Sequence, residues 1–227
     1  MPRIHGELLK LGFRVSERTV SRSVRTSRPR RPPGASWQTF LDNHRDVLAA
    51  MDFFTVPTLT FRLLYVLLVI QHDRRRVLHV NATANPSAAW VRQQLREAFP
   101  FDRAPRYLLL NRDAIFSAEV SRALRHMEVR PVRTSFQSPW QNGVAERWVG
   151  TCRRKLLDHV MVLNEQHLRR LLQQFLEYYH HDRTHLALGK DPPTPRAVCP
   201  PPSPLATVTS LPRVGGLHHR YEWRDAA

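Results

Sequence analysis

Hydrophobic positions along this chain follow two periods, and the switches between them outline the fold. Residues 51–56 form a short β-prone run that contains Asp52. Residues 61–70 (FRLLYVLLVI) are almost continuously apolar, as expected of a central strand buried on both faces. A polar turn, His72-Asp73-Arg74-Arg75, separates that run from a third strand at 77–82, and the three strands read as an antiparallel meander. Asn85-Pro86 then predicts a helix start, with Asn as N-cap and Pro at the first position. Ala88, Val91, Leu95 and Phe99 form that helix's buried face. A fourth strand, 106–110, ends at Asn111-Arg112-Asp113. Ser117 opens a helix to about His126, with Val120 and Leu124 inward, and a fifth strand follows at 129–134. Leu168, Leu171, Leu172, Phe175, Leu176 and Tyr179 mark a final amphipathic helix. Three strands, helix, strand, helix, strand, helices is the order of an α/β sheet, antiparallel first and parallel later.

Between the fifth strand and the final helix lies residues 135–147, SFQSPWQNGVAER. Ser138, Pro139, Asn142 and Gly143 are turn formers. A helix begins near Gly143 and carries Glu146 about one turn in, on a fixed element beside a loop and near a strand end.

The flanks differ from the core. Residues 1–35 hold nine Lys or Arg against Glu7 and Glu17. A short helix over 4–11, a turn at Gly12-Phe13-Arg14 and a second helix capped by Ser16 and running to about Val24 give a helix-turn-helix pattern. Arg14, Arg18, Arg22 and Arg25 line one side of the second helix and its lead-in, placed to meet DNA. Two such helices cannot bury a core alone, so the pattern reads as a partial module. Residues 27–35 (SRPRRPPGA) are a basic, proline-stiffened linker. Residues 192–204 contain seven prolines, and 208–223 suggest a small hairpin around Gly215-Gly216. The expected segments are therefore 1–26, 27–50, 51–191 and 192–227.

Charge narrows the function. With 227 residues and a formal charge of +16, the chain is a strong attractor of polyanions, which puts nucleic acid first among partners. The longest apolar run, 63–70, is too short to span a bilayer, and no signal-peptide pattern precedes it. Cys152 and Cys199 have no metal-like spacing and read as free thiols of a reducing cytosol.

The informative chemistry is acidic. Asp52 sits among Met51, Phe53 and Phe54, where a carboxylate is costly unless paired, hydrogen-bonded or bound to metal. The fourth strand can lie beside the first and ends in Asn111 and Asp113, and Glu146 comes from the following helix. Oxygen ligands from three distant segments can meet at one sheet edge, a donor set suited to Mg²⁺ or Mn²⁺. A pair of such ions can promote phosphoryl transfer.

Three stretches, Asp52-Phe53-Phe54-Thr55-Val56, Asn111-Arg112-Asp113-Ala114-Ile115-Phe116, and Ser138 through Arg147 (SPWQNGVAER), resemble the retroviral-integrase-type core of bacterial insertion-sequence transposases. The resemblance covers residues from Met51 to about Pro195, and the helix-turn-helix pattern ahead of it is similar too. It implies a ribonuclease-H-like mixed five-stranded sheet flanked by helices. It also implies DNA nicking and strand transfer at element ends and a target, two Mg²⁺ ions, multimeric action, and a place on the nucleoid of a bacterial cytoplasm. Catalytic and metal-binding positions fall on Asp52, Asn111 and Glu146. The second departs from the family's aspartate, although the separation 146 − 111 = 35 is close to what the family shows. Asparagine lacks the full negative charge and one ligand oxygen, so metal binding and catalysis are expected to be crippled, with Asp113 as a possible substitute. Arg153 or Arg154 is expected to hold phosphate near the metals, and Gln141 and Asn142 to touch DNA from the loop. Trp140 either stacks on a base or packs under the loop. Two rival readings stand beside this one: an inactive remnant that only binds DNA, and a ribonuclease-H-like nuclease that only hydrolyses.

Overall fold

The computed structural model describes residues 2–26, 37–100, 104–113, 115–136 and 138–225. The linker expected at 27–35 lies outside the described residues. The chain divides into two compact units, Met1–Asn43 and His44–Ala227.

In the first unit, α1 (Pro2–Lys10) and α2 (Glu17–Thr26) flank a tight turn, and α3 (Trp37–Asn43) follows. The turn is built by the chain's own backbone. Gly12 takes φ +87, its N–H donates to Leu9 O (3.1 Å), and Phe13 N donates to Leu8 O (2.9 Å). This paired 5→2 and 6→1 pattern needs a left-handed residue, which glycine supplies. Ser16 Oγ accepts from Thr19 N (3.2 Å) and caps α2 as expected. Arg14, Arg18 and Arg22 are exposed. The side chain of Arg25 lies outside the described residues.

The second unit is organised on a five-stranded sheet of order β3-β2-β1-β4-β5. β1 (Leu48–Pro57), β2 (Leu63–Gln71) and β3 (Val77–Thr83) form the antiparallel meander, while β4 (Tyr107–Leu110) and β5 (Arg130–Arg133) add in parallel. β1 starts three residues earlier than the periodicity suggested, because Leu48, Ala49 and Ala50 are also fully buried and paired to β4. β2 starts two residues later. Phe61 and Arg62 belong to the turn before it, and Phe61 is exposed rather than part of a buried strand.

Alternation along β1 decides which side each residue serves. Ala49 and Met51 face one core with Val91 and Leu95 of α4 (Ala88–Ala98) and Val120 and Leu124 of α5 (Ala118–His126). Phe54 lies on the opposite face, 6.2 Å from Trp148 of α6 (Gly143–Lys155). Trp148 in turn meets Phe175 and Tyr179 of α7 (Glu165–His181), each at 6.2 Å. Asp52 shares the parity of Phe54 and so belongs to the α6 side. The start of α4 differs from expectation. Ser87, not Asn85, is the N-cap, and its hydroxyl accepts from Trp90 N (3.1 Å). Asn85 instead closes a turn ahead of the helix, its carbonyl accepting from Ser87 N (2.9 Å).

After the proline-rich stretch the chain forms the expected hairpin, β6 (Thr207–Arg213) and β7 (His218–Arg224), turning at Gly215 and Gly216 with φ +63 and +91. It is clasped to the core. Asp182, just past α7, accepts from Arg213 Nε (2.7 Å) and Arg220 Nη1 (3.1 Å). His218 stacks on Tyr178 at 4.3 Å and donates to Lys155 O (2.8 Å), at the end of α6. Cys152 is buried, Cys199 is exposed, and both are free. Among the described residues no helix is long and apolar enough to cross a membrane.

Candidate metal and nucleic-acid site

Strand register alone brings two of the three site positions together. In the parallel β1–β4 pair, Met51 sits opposite Leu110, so the next residues, Asp52 and Asn111, emerge side by side. Asn111 Nδ2 donates to Asp52 Oδ1 at 2.8 Å. The same oxygen accepts from Phe53 N at 2.9 Å. Asn111 Oδ1 is turned away and accepts from Asp113 N (2.9 Å), while Asp113 Oδ1 accepts from Ile115 N (3.0 Å). Asn111 therefore presents its NH₂, not an oxygen, to Asp52.

Glu146 comes from the exposed side of the first turn of α6. Asp52 is only 5% exposed, and its carboxyl is pushed up from 3.8 to about 7. Burial is the largest cause and the negative charge of Glu146 the next, with Asp113 adding to it. The hydrogen bonds from Phe53 N and Asn111 pull the other way and do not win. Among the described residues no Lys or Arg forms an ion pair with Asp52.

The loop leading to α6 is braced from within. Gln141 Oε1 accepts from Ser135 N (2.6 Å), and Asn142 Nδ2 donates to Met51 O (3.4 Å), next to Asp52. Gln141 is 8% and Asn142 2% exposed, so Gln141 ties the loop to its own start and Asn142 ties it to β1 in this conformation. Both side chains bond within the protein, where the sequence suggested contact with DNA. Trp140 is exposed, as a stacking role requires. Arg153 lies on α6 as expected, but its guanidinium is already used: Nη2 donates to Thr55 O (3.1 Å), and the group sits 5.7 Å from the Phe54 ring. Arg154 is exposed and folds back over Gly150. The bracing by Asn142 had no signal in the sequence, because it depends on a loop returning to a strand 91 residues earlier.

The donor set can be tested against a hard divalent ion. Among the described residues neither Asp52 nor Glu146 forms an ion pair, and the two carboxylates repel each other, which is the chemistry such an ion satisfies. Asn111 supplies an amide whose oxygen is engaged elsewhere. Accordingly, among the described residues no group of three His, Cys, Asp or Glu side chains is placed to hold a metal.

Comparison with known proteins agrees with this geometry at the level of fold. Residues 127–193 match the family model for the integrase core domain, a span that includes β5, the loop and Glu146 but neither Asp52 nor Asn111. The chain is similar to a chain of the simian T-cell lymphotropic virus intasome solved with PP2A regulatory subunit B56 gamma. Identity is 15% and the TM-score 0.53, over 79% of this chain and 66% of that one, slightly under two thirds of its length. It is also similar to the HTLV-2 integrase catalytic core domain, solved in complex with magnesium in a trimeric form. There identity is 12% and the TM-score 0.52, over 64% of this chain and 92% of that one. No curated protein matches the sequence significantly. The mixed five-stranded sheet with its flanking helices is thus the ribonuclease-H-like fold of integrase cores.

Proposed function

We propose that this chain is a DNA recombinase of the integrase and transposase type, derived from a bacterial insertion sequence and acting on nucleoid DNA, with a weakened metal site. One observation carries the reading. Asn111 is hydrogen-bonded to Asp52 at the ends of two adjacent strands, and the negative charge of Glu146, from the first turn of α6, helps raise the Asp52 carboxyl to about 7. Two carboxylates held together at such cost serve no packing purpose, and a divalent cation is the partner that relieves them. Magnesium or manganese bound there supplies charge neutralisation at a phosphodiester and a more acidic attacking hydroxyl.

Asp52 and Glu146 would hold the ion. The residues present fit one ion and not the two of the intact family pattern, because a second needs a carboxylate where Asn111 offers an amide. Asn111 holds Asp52 by hydrogen bond and partly does the work of a counter-charge. Asp113 does not replace it in this conformation, since among the described residues no three carboxylates are placed to hold a metal together. Exposed Arg154, together with Arg153 if it leaves Thr55 O, would take phosphates along α6. Arg18, Arg22 and Arg25 of the helix-turn-helix would hold a separate stretch of DNA, and Trp140 would stack on a base. Gln141 and Asn142 would serve DNA indirectly by fixing the loop. Self-association is part of this reading, in keeping with the trimeric form of the integrase core to which the fold is similar.

The amide facing Asp52 also favours a second reading, a DNA-binding protein without catalysis. Magnesium-dependent joining of labelled DNA by wild type and Asn111→Asp separates the two. A weakened recombinase gives faint products that the substitution raises by about 100-fold, from the restored ligand charge. A binding-only protein gives none in wild type, and equal, robust activity in both would show that Asn111 is no defect.

A further inference from the structure

The turn between β1 and β2 carries a residue that its own geometry disfavours. Thr58 N donates to Arg62 O (2.8 Å) and Phe61 N donates to Thr58 O (2.9 Å), closing a loop of Leu59, Thr60 and Phe61. Its last residue stands at φ +59, the position where hairpins of this size place glycine, because a Cβ there crowds the following carbonyl. Here it is Phe, and the ring is 90% exposed. Arg75, Glu128 and Lys190 share the left-handed conformation but are polar, and Val214 is buried. Among the described non-glycine residues with positive φ, only Phe61 exposes a large apolar side chain. The fold carries the strain and gains no burial in return.

The neighbourhood is apolar at the tip and basic at the rim. Leu59 and Leu63 are each more than half exposed, as are Met161 and Leu163 of the segment after α6. Leu59 N donates to Val162 O (2.7 Å), which ties the two segments into one surface. Arg62, in the turn, and Arg153, Arg154 and Lys155, at the end of α6 just before the second segment, are exposed, against the single exposed carboxylate of Asp158 in that segment. Arg153 is anchored at Thr55 O, on the strand leading to the turn. A protein surface settling here would have to strip water from these cations, whereas DNA phosphates would neutralise them while the apolar tip meets the stacked bases.

We propose that Phe61 is a wedge that enters duplex DNA between base pairs, distorting the duplex held along α6. This rests on the DNA-binding reading above. Pro57, at the end of β1, is five residues beyond Asp52, about 17 Å along the strand. The insertion point is therefore offset from the carboxylates by about half a turn of duplex.

The test uses the full chain and short duplexes carrying end dyes and 2-aminopurine at successive steps. Wild type unstacks one step and kinks the duplex, giving raised 2-aminopurine emission and a shortened end-to-end distance. Phe61→Gly, which suits the turn, melts no lower than wild type, loses both signals and binds about tenfold more weakly. Phe61→Trp keeps both. Phe61→Gly binding with both signals intact overturns the proposal. So does a variant that distorts DNA normally but loses concentration-dependent self-association, since the tip would then dock a second copy. Failure of wild type to bind duplex DNA at all overturns the functional reading and the wedge together.

Discussion

Two aspartates in this molecule are shielded from water, and the chain treats them oppositely. Asp182 at the end of α7 is met by Arg213 and Arg220, and its side chain is 3% exposed. Asp52 on β1 is similarly enclosed, yet what faces it is another carboxylate and an amide. The first is a charge-balanced clasp that fixes a hairpin. The second is a charge the fold tolerates without balancing. A structural carboxylate brings its counter-ions with it, and one that lacks them is waiting for something outside the polypeptide.

Substitution at each aspartate sharpens the contrast. Moving a carboxyl from 3.8 to about 7 costs the ionised fold about 4 kcal/mol. Below pH 3.8 Asp52 is protonated in both folded and unfolded chains and the cost vanishes. As pH rises towards 7 the unfolded chain releases the proton while the fold retains it, so stability falls; above 7 the loss is constant. Asp52→Asn keeps an acceptor for Phe53 N and Asn111 Nδ2 and removes the charge. In metal-free urea unfolding it should match wild type near pH 3.8 and exceed it by up to about 4 kcal/mol near pH 8. Equal pH dependence in the two proteins would remove the idea of an unbalanced site. The opposite sign is expected at the clasp. Asp182→Ala leaves two guanidiniums one-third or less exposed and should cost about 2 kcal/mol, between the values for buried and exposed pairs. Hydrogen exchange should show β6–β7 losing protection before the central sheet does, and unchanged protection would mean that the His218 contacts to Tyr178 and Lys155 O hold the hairpin without the Asp182 clasp.

Much of the scaffold could be read from the sequence because it rests on local pattern. The run at 63–70 is β2, the glycine pair at 215–216 is the hairpin turn, and Ser16 caps α2. Where pattern failed, a side chain had found a competing bond. Ser87 took the N-cap from Asn85 through Trp90 N. Phe61 looked like strand because its neighbours are apolar, but the three-residue turn claims it first. The candidate site was read from motif spacing, and the β1–β4 register supplies the physical reason for Asp52 beside Asn111. What the sequence lacked was orientation. The way Asn111 turns its amide, the burial of Gln141 and Asn142 and the tether of Arg153 to Thr55 O all depend on contacts between segments far apart in the chain.

The account turns on Asn111, and manganese binding followed by paramagnetic resonance tests it most directly. Wild type should bind no more than one ion, weakly, and Asn111→Asp should bind about 100-fold tighter and admit a second, as expected when a ligand carboxylate replaces an amide. Asp52→Asn should abolish binding in both backgrounds. Equal affinity and stoichiometry with and without the Asn111 substitution would contradict the account.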